Sequence, residues 1–158
     1  MDSNQIYNRA LEVMAENFSQ VTEMCLATSA NNIVSARDLN AYYHDGKVYV
    51  LSKDHNHLMH DIQQNPNVAL CHGSHTMQGT AQSIGHPLDA HNAAIRRAMK
   101  KEFSLNYNEY VTEDNPDMRI LVITLTHAVT YTRFHRYVID FVNKTAERDH
   151  THPLFIYR

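Results

Sequence analysis

Two groups of residues carry the chemistry open to this chain. The first is a polar loop, Ser52-Lys53-Asp54-His55-Asn56-His57, that feeds the start of a short helix. A serine hydroxyl, a lysine and the free N–H groups of a helix N-terminus together suit a phosphate, because that end of a helix is positive and offers unpaired donors. The second is Arg37, on a strand of alternating character. Its guanidinium can fork onto a phosphate or onto the electron-rich edge of a ring. Folding the flanking strands back through Asp45-Gly46 brings Arg37 into rough register with Lys53 and Asp54. Two arrangements satisfy that spacing equally: a shared anion site, or an Arg37–Asp54 surface ion pair.

Histidine is the unusual count, at 12. His55, His57 and His60 cluster as HNHLMH, and His57 and His60 stand one helical turn apart. A metal would need a third ligand, for which His72 and His75 are the nearest candidates, so scattered surface imidazoles are the simpler reading and no metal is expected. The chain contains no GxGxxG, GxxxxGK, GxSxG or HExxH pattern. With only 4 glycines, these absences are firm.

The elements that must position these residues are readable from periodicity. Residues 3–18 form a helix, capped by Asp2 or Ser3, with Ile6, Ala10, Val13, Met14 and Phe18 on one face. Val21 to Ser29 is a strand whose near-continuous apolar run suits burial on both faces. Ile33 to Tyr43 and Lys47 to Ser52 are joined by Asp45-Gly46, a type I′ hairpin signal. His55 to Asn65 is a short helix capped by Asn56, with Leu58, Met59 and Ile62 as its buried stripe and Pro66 as its stop. Asn67 to Gly73 and Thr76 to Ile84 are strands, and Gly79 marks a bulge or close approach. Leu88 to Leu105 is a second long helix, whose basic side (Arg96, Arg97, Lys100, Lys101) reads as a solvated face. After a loop from Tyr107 to Asp117, Met118 to Phe134 is one long strand with a bend or bulge. Tyr137 to Phe141 is the last strand, and 142–158 is a tail whose apolar LFIY end can dock on this or another subunit. Short strands joined by hairpins, with no regular βα alternation, argue an antiparallel barrel or sandwich.

The totals set the class. A chain of 158 residues is the size of one domain, with enough length for a core of its own. Its net charge of −3 excludes a global basic field for nucleic acid. Cys25 and Cys71 lie in apolar runs, where two thiols buried in strands are the expectation and a disulfide or metal pair the alternative. The N-terminus has no apolar signal segment and no run reaches the roughly 18 residues of a membrane span. A cytoplasmic protein follows, in which the Asn143-Lys144-Thr145 sequon has no role.

The segments MCLATSANNIVSARDLNAYYHDGKVYVLSKD (24–54), IQQNPNVALC (62–71) and MQGTAQSIG (77–85), with HPLDAHNAAIRRAMKKEF and YVIDFVNKTA after them, resemble the pyridoxamine-5′-phosphate-oxidase-like, FMN-binding split-barrel family. The resemblance covers most of the chain through the order of its segments. It implies a single mainly β domain over 1–158: a six-stranded antiparallel split β-barrel over about 21–141 with flanking helices. It further implies a homodimer with FMN in clefts between subunits, no nucleic acid or membrane partner, and an oxidoreductase acting on an unidentified small substrate. Carried over by position, the arginine-containing strand motif falls on Arg37, Asp38, Leu39 and Asn40, running on to Tyr42. The tyrosine-threonine pair of the next strand falls on Leu51 and Ser52. The serine-arginine-lysine phosphate grip falls on Asn56, His57 and Leu58, with Lys53 beside it. The last two positions depart from the family pattern. Loss of one such charged hydrogen bond costs about 1.5–3 kcal/mol, roughly one to two decades of affinity. A split barrel binding haem or another cofactor without catalysis, and a homodimer with a vestigial flavin pocket, are the alternative readings. No catalytic residue is identified.

Overall fold

The computed structural model describes residues 1–103, 107 and 112–151. Helix α1 (Ser3–Asn17) is followed by strands β1 (Thr22–Ala30), β2 (Ile33–His44) and β3 (Lys47–Lys53). Helix α2 (His57–Gln64) leads to β4 (Asn67–His72) and β5 (His75–Ser83). A single 3₁₀ turn at Ala90–Asn92 precedes α3 (Ala93–Phe103), and β6 (Met118–Tyr131), β7 (His135–Asp140) and β8 (Thr145–His150) complete the chain.

All neighbouring strands are antiparallel, in the order β3-β2-β1-β4-β5-β6-β7-β8, and an additional β3–β6 pairing closes the first six into a barrel. The expected mainly β, six-stranded barrel is therefore the observed one, with β7 and β8 extending the sheet beyond it. The Asp45-Gly46 hairpin has the two positive φ values, 47° and 73°, that a type I′ turn requires. Asn31 and Asn32 do the same work between β1 and β2, at 52° and 63°.

The barrel interior is filled by Met24, Leu26, Ala41, Tyr43, Val48, Val50, Val68, Leu70, Met77, Leu121 and Ile123. Helix α1 adds Ala10, Val13 and Met14 to the same core, with Phe18 just after it, and is held at its start by a reciprocal Asp2–Gln5 capping box. A second apolar cluster lies outside the barrel wall, where Met99 and Phe103 of α3 cover Tyr42, Met118 and Ile120.

Strand β6 serves three partners. Its first half pairs with β3 and its second half with β7, while β5 runs along both. The register against β5 slips between Gln78 and Gly79, leaving Thr126 as the extra residue. A Cβ on Gly79 would lie 2.3 Å from the Thr124 carbonyl oxygen, so the close approach read from the sequence is real and the bulge sits opposite it on β6.

Three expectations are corrected. β1 is not buried on both faces: Met24, Leu26 and Thr28 point inward, whereas Cys25, Ala27 and Ser29 are half-buried on the outer face. Leu88 lies before the helix and is exposed, because the Gly85–Asn92 segment is a separate turn in which Asn92 donates to the Ile84 and His86 carbonyls. Tyr137 to Phe141 is not the last strand, since residues 145–150 of the tail form β8. Its sequence, TAERDH, has no apolar alternation because it is an edge strand, where charged side chains discourage further pairing. Position 105 of the long helix, much of the following loop and the LFIY end lie outside the described residues.

Burial holds two imidazoles below the usual histidine range. For His75, packed edge-on against Phe18, the neighbouring His72 adds to the effect of burial. For His135, Arg148 and His150 add to it. In each case the unfolded chain binds the proton more tightly. The stabilisation is complete above the ordinary value of about 6.5 and is lost as the pH falls through the native value. His75 is expected to titrate below 6.5 by NMR, and His75→Gln to lose less thermal stability than the natural chain between about pH 7 and pH 5. An ordinary His75 titration would contradict this.

Candidate functional site

Strands β3 and β4 are not neighbours. β3 lies between β2 and β6, and β4 between β1 and β5, so the chain must cross the end of the barrel to pass from one to the other. Helix α2 is that crossing. Leu58, Met59 and Ile62 plug the barrel end, and Leu58 is only 7% exposed.

The entry to α2 is tightly specified. The Asn56 side chain accepts from the Met59 N–H at 3.0 Å as the N-cap and donates to the Ser52 hydroxyl oxygen at 2.7 Å. Ser52 itself is buried at the end of β3. Lys53 and His57 flank this turn and are exposed. Asp54 receives Arg119 of β6 at 3.0 Å. Among the described residues no carboxylate pairs with Lys53, which remains the available cation at the helix start. A cleft of about 330 Å³ lined by Asp54, His55, Asn56, His60 and Gln63 opens beside it.

Arg37 reaches this end of the barrel by another route than the hairpin. β2 and β3 pair only from Tyr42–Tyr49 to His44–Lys47, so Arg37 is opposite Leu26 of β1, while Lys53 is opposite Met118 of β6. The expected register between Arg37 and Lys53 is absent, and the Arg37–Asp54 pair is not formed. The reason is barrel closure: β3 leaves β2 to pair with β6.

The partner of Arg37 is Asp61, a residue the sequence reading missed. Arg37 Nη1 donates to Thr28 Oγ1 at 2.7 Å, and the Thr28 hydroxyl donates to Asp61 Oδ2 at 2.6 Å. Arg37 Nη2 lies 3.5 Å from the same oxygen, and His57 Nε2 lies 3.6 Å from Asp61 Oδ1. Asp61 is 3% exposed, yet its carboxyl is held below the usual carboxylate range, first by the Thr28 hydroxyl and further by His57 and Arg37, against the opposing effect of burial. A signal for Asp61 did exist. It interrupts the apolar stripe of Leu58, Met59 and Ile62, and a carboxylate on the buried face of a helix demands a partner.

Asp61 thus draws Arg37 toward His57 and the α2 start, and Ser52, Lys53 and Asn56 stand at the same turn. The remaining predicted residues do not converge there. Asp38 is exposed on the outer face opposite Cys25, and Asn40 stands opposite Glu23. Leu39 packs on the barrel core, whereas Leu51 packs on the cluster under α3. The three histidines of HNHLMH also diverge: His55 toward Asp117, His57 toward Asp61, and His60 toward Gln64. Among the described residues no group of three or more His, Cys, Asp or Glu is placed to hold a metal ion. The basic side of α3 is partly spoken for, since Arg96 makes a two-pronged pair with Glu113 at 2.6 and 2.8 Å and holds that carboxyl down at about 2.

No protein-family model matches the chain, and no curated protein matches it. Solved structures do. General stress protein 26 from Bacillus anthracis str. Sterne superposes with a TM-score of 0.61 at 15% identity, over 76% of this chain and 92% of that one. A FAD-binding protein from Mesorhizobium loti gives 0.60 at 16% identity, over 75% and 91%. A protein of the pyridoxinephosphate oxidase family from Clostridium acetobutylicum, related to general stress protein 26, gives 0.57 at 14% identity, over 91% and 99%. The chain has the split-barrel fold of the pyridoxamine-5′-phosphate-oxidase-like proteins.

Removing the charge of Asp61 leaves Arg37 without its anionic partner. Asp61→Asn is expected to lower stability by about 1.5–3 kcal/mol, the range for hydrogen bonds to charged groups. The urea midpoint should fall with an unchanged slope. Because its carboxyl is held below the ordinary value, the stabilisation from Asp61 is present above about pH 4 and is lost only as the pH falls below that.

Proposed function

We propose that this chain is an FMN-binding flavoprotein, an oxidoreductase acting on a small substrate, built as a homodimer with the flavin in a cleft at the subunit interface. The observation that carries the reading is the locked turn at the barrel end. Asn56 fixes the start of α2 through Ser52, its N–H donates to the Lys53 carbonyl, and His57 is the first residue of the helix. This donor set fits a phosphate monoester. Lys53 supplies the charge, the helix start supplies the donors, and His57 contributes when protonated. Arg37, held by Thr28 and Asp61, supplies a fixed guanidinium near the same turn. The flavin, when bound, supplies the two-electron chemistry; the protein supplies orientation, charge and exclusion of water.

The burial of Leu58 bears on the departure from the family pattern. Its side chain plugs the barrel, so the missing lysine is replaced by core packing rather than by another polar group. Lys53 takes its place in this reading. The homodimer is supported by exposed apolar surface at the β1–β2 turn, where Ile33 is 66% and Val34 72% exposed. Val34 also lines a shallow groove with Ala27, Ser29, Ala69, Gln78 and Thr80. The described helices include none long and apolar enough to cross a membrane, and a cytoplasmic location accords with the reading.

A second reading has one observation in its favour. The heme storage protein HutZ of Vibrio cholerae shares the fold, with a TM-score of 0.58 at 11% identity over 71% of this chain and 87% of that one. His55, His57 and His60 are exposed around α2 and offer imidazoles to an iron.

Titration of the purified chain with FMN, followed by quenching of flavin fluorescence, tests the first reading. Binding is expected, and Lys53→Ala is expected to weaken it roughly 10-fold or more, as loss of a charge-assisted hydrogen bond implies. No quenching, together with a Soret shift on adding haemin that His57→Ala or His60→Ala abolishes, would replace the first reading with the second.

A further inference from the structure

Cys25 and Cys71 are far apart in sequence but directly opposite each other on adjacent antiparallel strands, β1 and β4. They share the outer face, as the inward positions of those strands are taken by Leu26 and Leu70, which are also paired. The expectation of two buried thiols is therefore overturned: Cys25 is half-buried and Cys71 exposed. Directly opposed residues on antiparallel strands have Cα atoms about 4.5–5.5 Å apart, inside the range of about 4.4–6.8 Å that a disulfide spans. Their Cβ atoms, about 4.5–5.5 Å apart in such pairs, need to close by up to about 1 Å to reach disulfide geometry. The bond is thus within reach of a local backbone adjustment of up to about 1 Å, and it carries strain. Strained, exposed disulfides are the readily reduced ones.

We propose that Cys25 and Cys71 form a redox-active pair, in which a hydroperoxide oxidises Cys71 first and Cys25 then closes a reversible cross-strand disulfide. This goes beyond the flavin reading and does not depend on it. Exposure sets the order. Burial pushes the Cys25 thiol up, and the facing Cys71 and the neighbouring Asp38 push it further, so Cys25 is a poor nucleophile toward an oxidant in solution. Cys71 has open access. Its thiolate attacks the peroxide O–O bond, forming a sulfenic acid and releasing water or an alcohol. The Cys25 sulfur then attacks the Cys71 sulfur, the S–S bond forms, and the sulfenic oxygen leaves as a second water. The two thiols lose two electrons and two protons in total, and the peroxide takes up both. A thiol reductant reverses the reaction by exchange.

The bond would join two adjacent strands of the barrel wall and restrict the unfolded chain between them. It lies four residues along β2 from the exposed Val34, about 13 Å at the rise of a strand, since Asp38 is the β2 residue opposite Cys25. The groove beside Val34 comes nearer, since Ala27 and Ala69, the next outward pair along β1 and β4, line it.

The full chain is treated with hydrogen peroxide, its remaining thiols are alkylated under denaturing conditions, and its peptides are mapped by mass. The expected product is a monomeric chain lighter by two hydrogens, with one Cys25–Cys71 peptide that dithiothreitol releases. The oxidised chain should melt higher than the reduced one. Cys25→Ser should leave a sulfenic acid on Cys71 that dimedone traps, whereas Cys71→Ser should leave Cys25 alkylatable. Both thiols still alkylatable after peroxide, a disulfide between two chains, over-oxidation of Cys71 with Cys25 intact, or dimedone on Cys25 in Cys71→Ser would each overturn the proposal.

Discussion

The backbone ladder between β3 and β6 is the constraint on which the rest of the structure depends. It runs from Lys47–Thr124 to Lys53–Met118 and removes the two edges that an open six-stranded sheet would present. Closure dictates what lies on either side of it. β3 must leave β2 after Tyr49, so β2 and β3 share only a short ladder. β6 must serve β5, β3 and β7, and the bulge at Thr126, with Gly79 across from it, lies between its β3-paired and β7-paired halves. The connection from β3 to β4 must cross the barrel end, which places α2 over the core. A helix in that position buries one face and offers its N-terminal turn to solvent. The candidate phosphate site is thus a consequence of how the barrel closes.

Burying that face has an electrostatic consequence. Asp61 is drawn into the barrel end with Leu58, Met59 and Ile62, and a charged carboxylate there is tolerated only with partners. Thr28 and Arg37 provide them from the two strands beneath. The same logic ties Arg119 to Asp54 and Arg96 to Glu113. Arg37, Arg96 and Arg119 are thereby all coupled to carboxylates. Lys53 is left at the α2 turn, and this makes it, rather than Arg37, the residue on which phosphate affinity rests in the flavin reading.

The strands and their turns were largely legible in the sequence. The two hairpins announced themselves through Asn31-Asn32 and Asp45-Gly46, since few residues accept positive φ, and α2 through its Asn56 cap and Pro66 stop. β8 was not legible, because an edge strand with charged side chains has no apolar alternation to display. Half of the candidate site was legible: Ser52, Lys53, Asn56 and His57 are neighbours in sequence, and a helix start brings such neighbours together. The Thr28–Asp61–Arg37 group was not, because its members come from three elements and meet only after the barrel end is plugged.

What the sequence determined by itself was local. Turn chemistry, capping and period-two alternation depend on residues a few positions apart, and they specify an antiparallel, mainly β chain with a polar turn feeding a short helix. What only the tertiary structure decided was which distant residues face one another. Barrel closure separates Arg37 from Lys53, though the hairpin seemed to align them, and pairs Arg37 with Asp61 instead. It also sets Cys25 opposite Cys71 on the outer face, where the apolar run around each had suggested burial. The physical reason is the same in both cases. Register between strands is fixed by the sum of all ladders in the closed sheet, so a single loop or a single run of residues does not contain it.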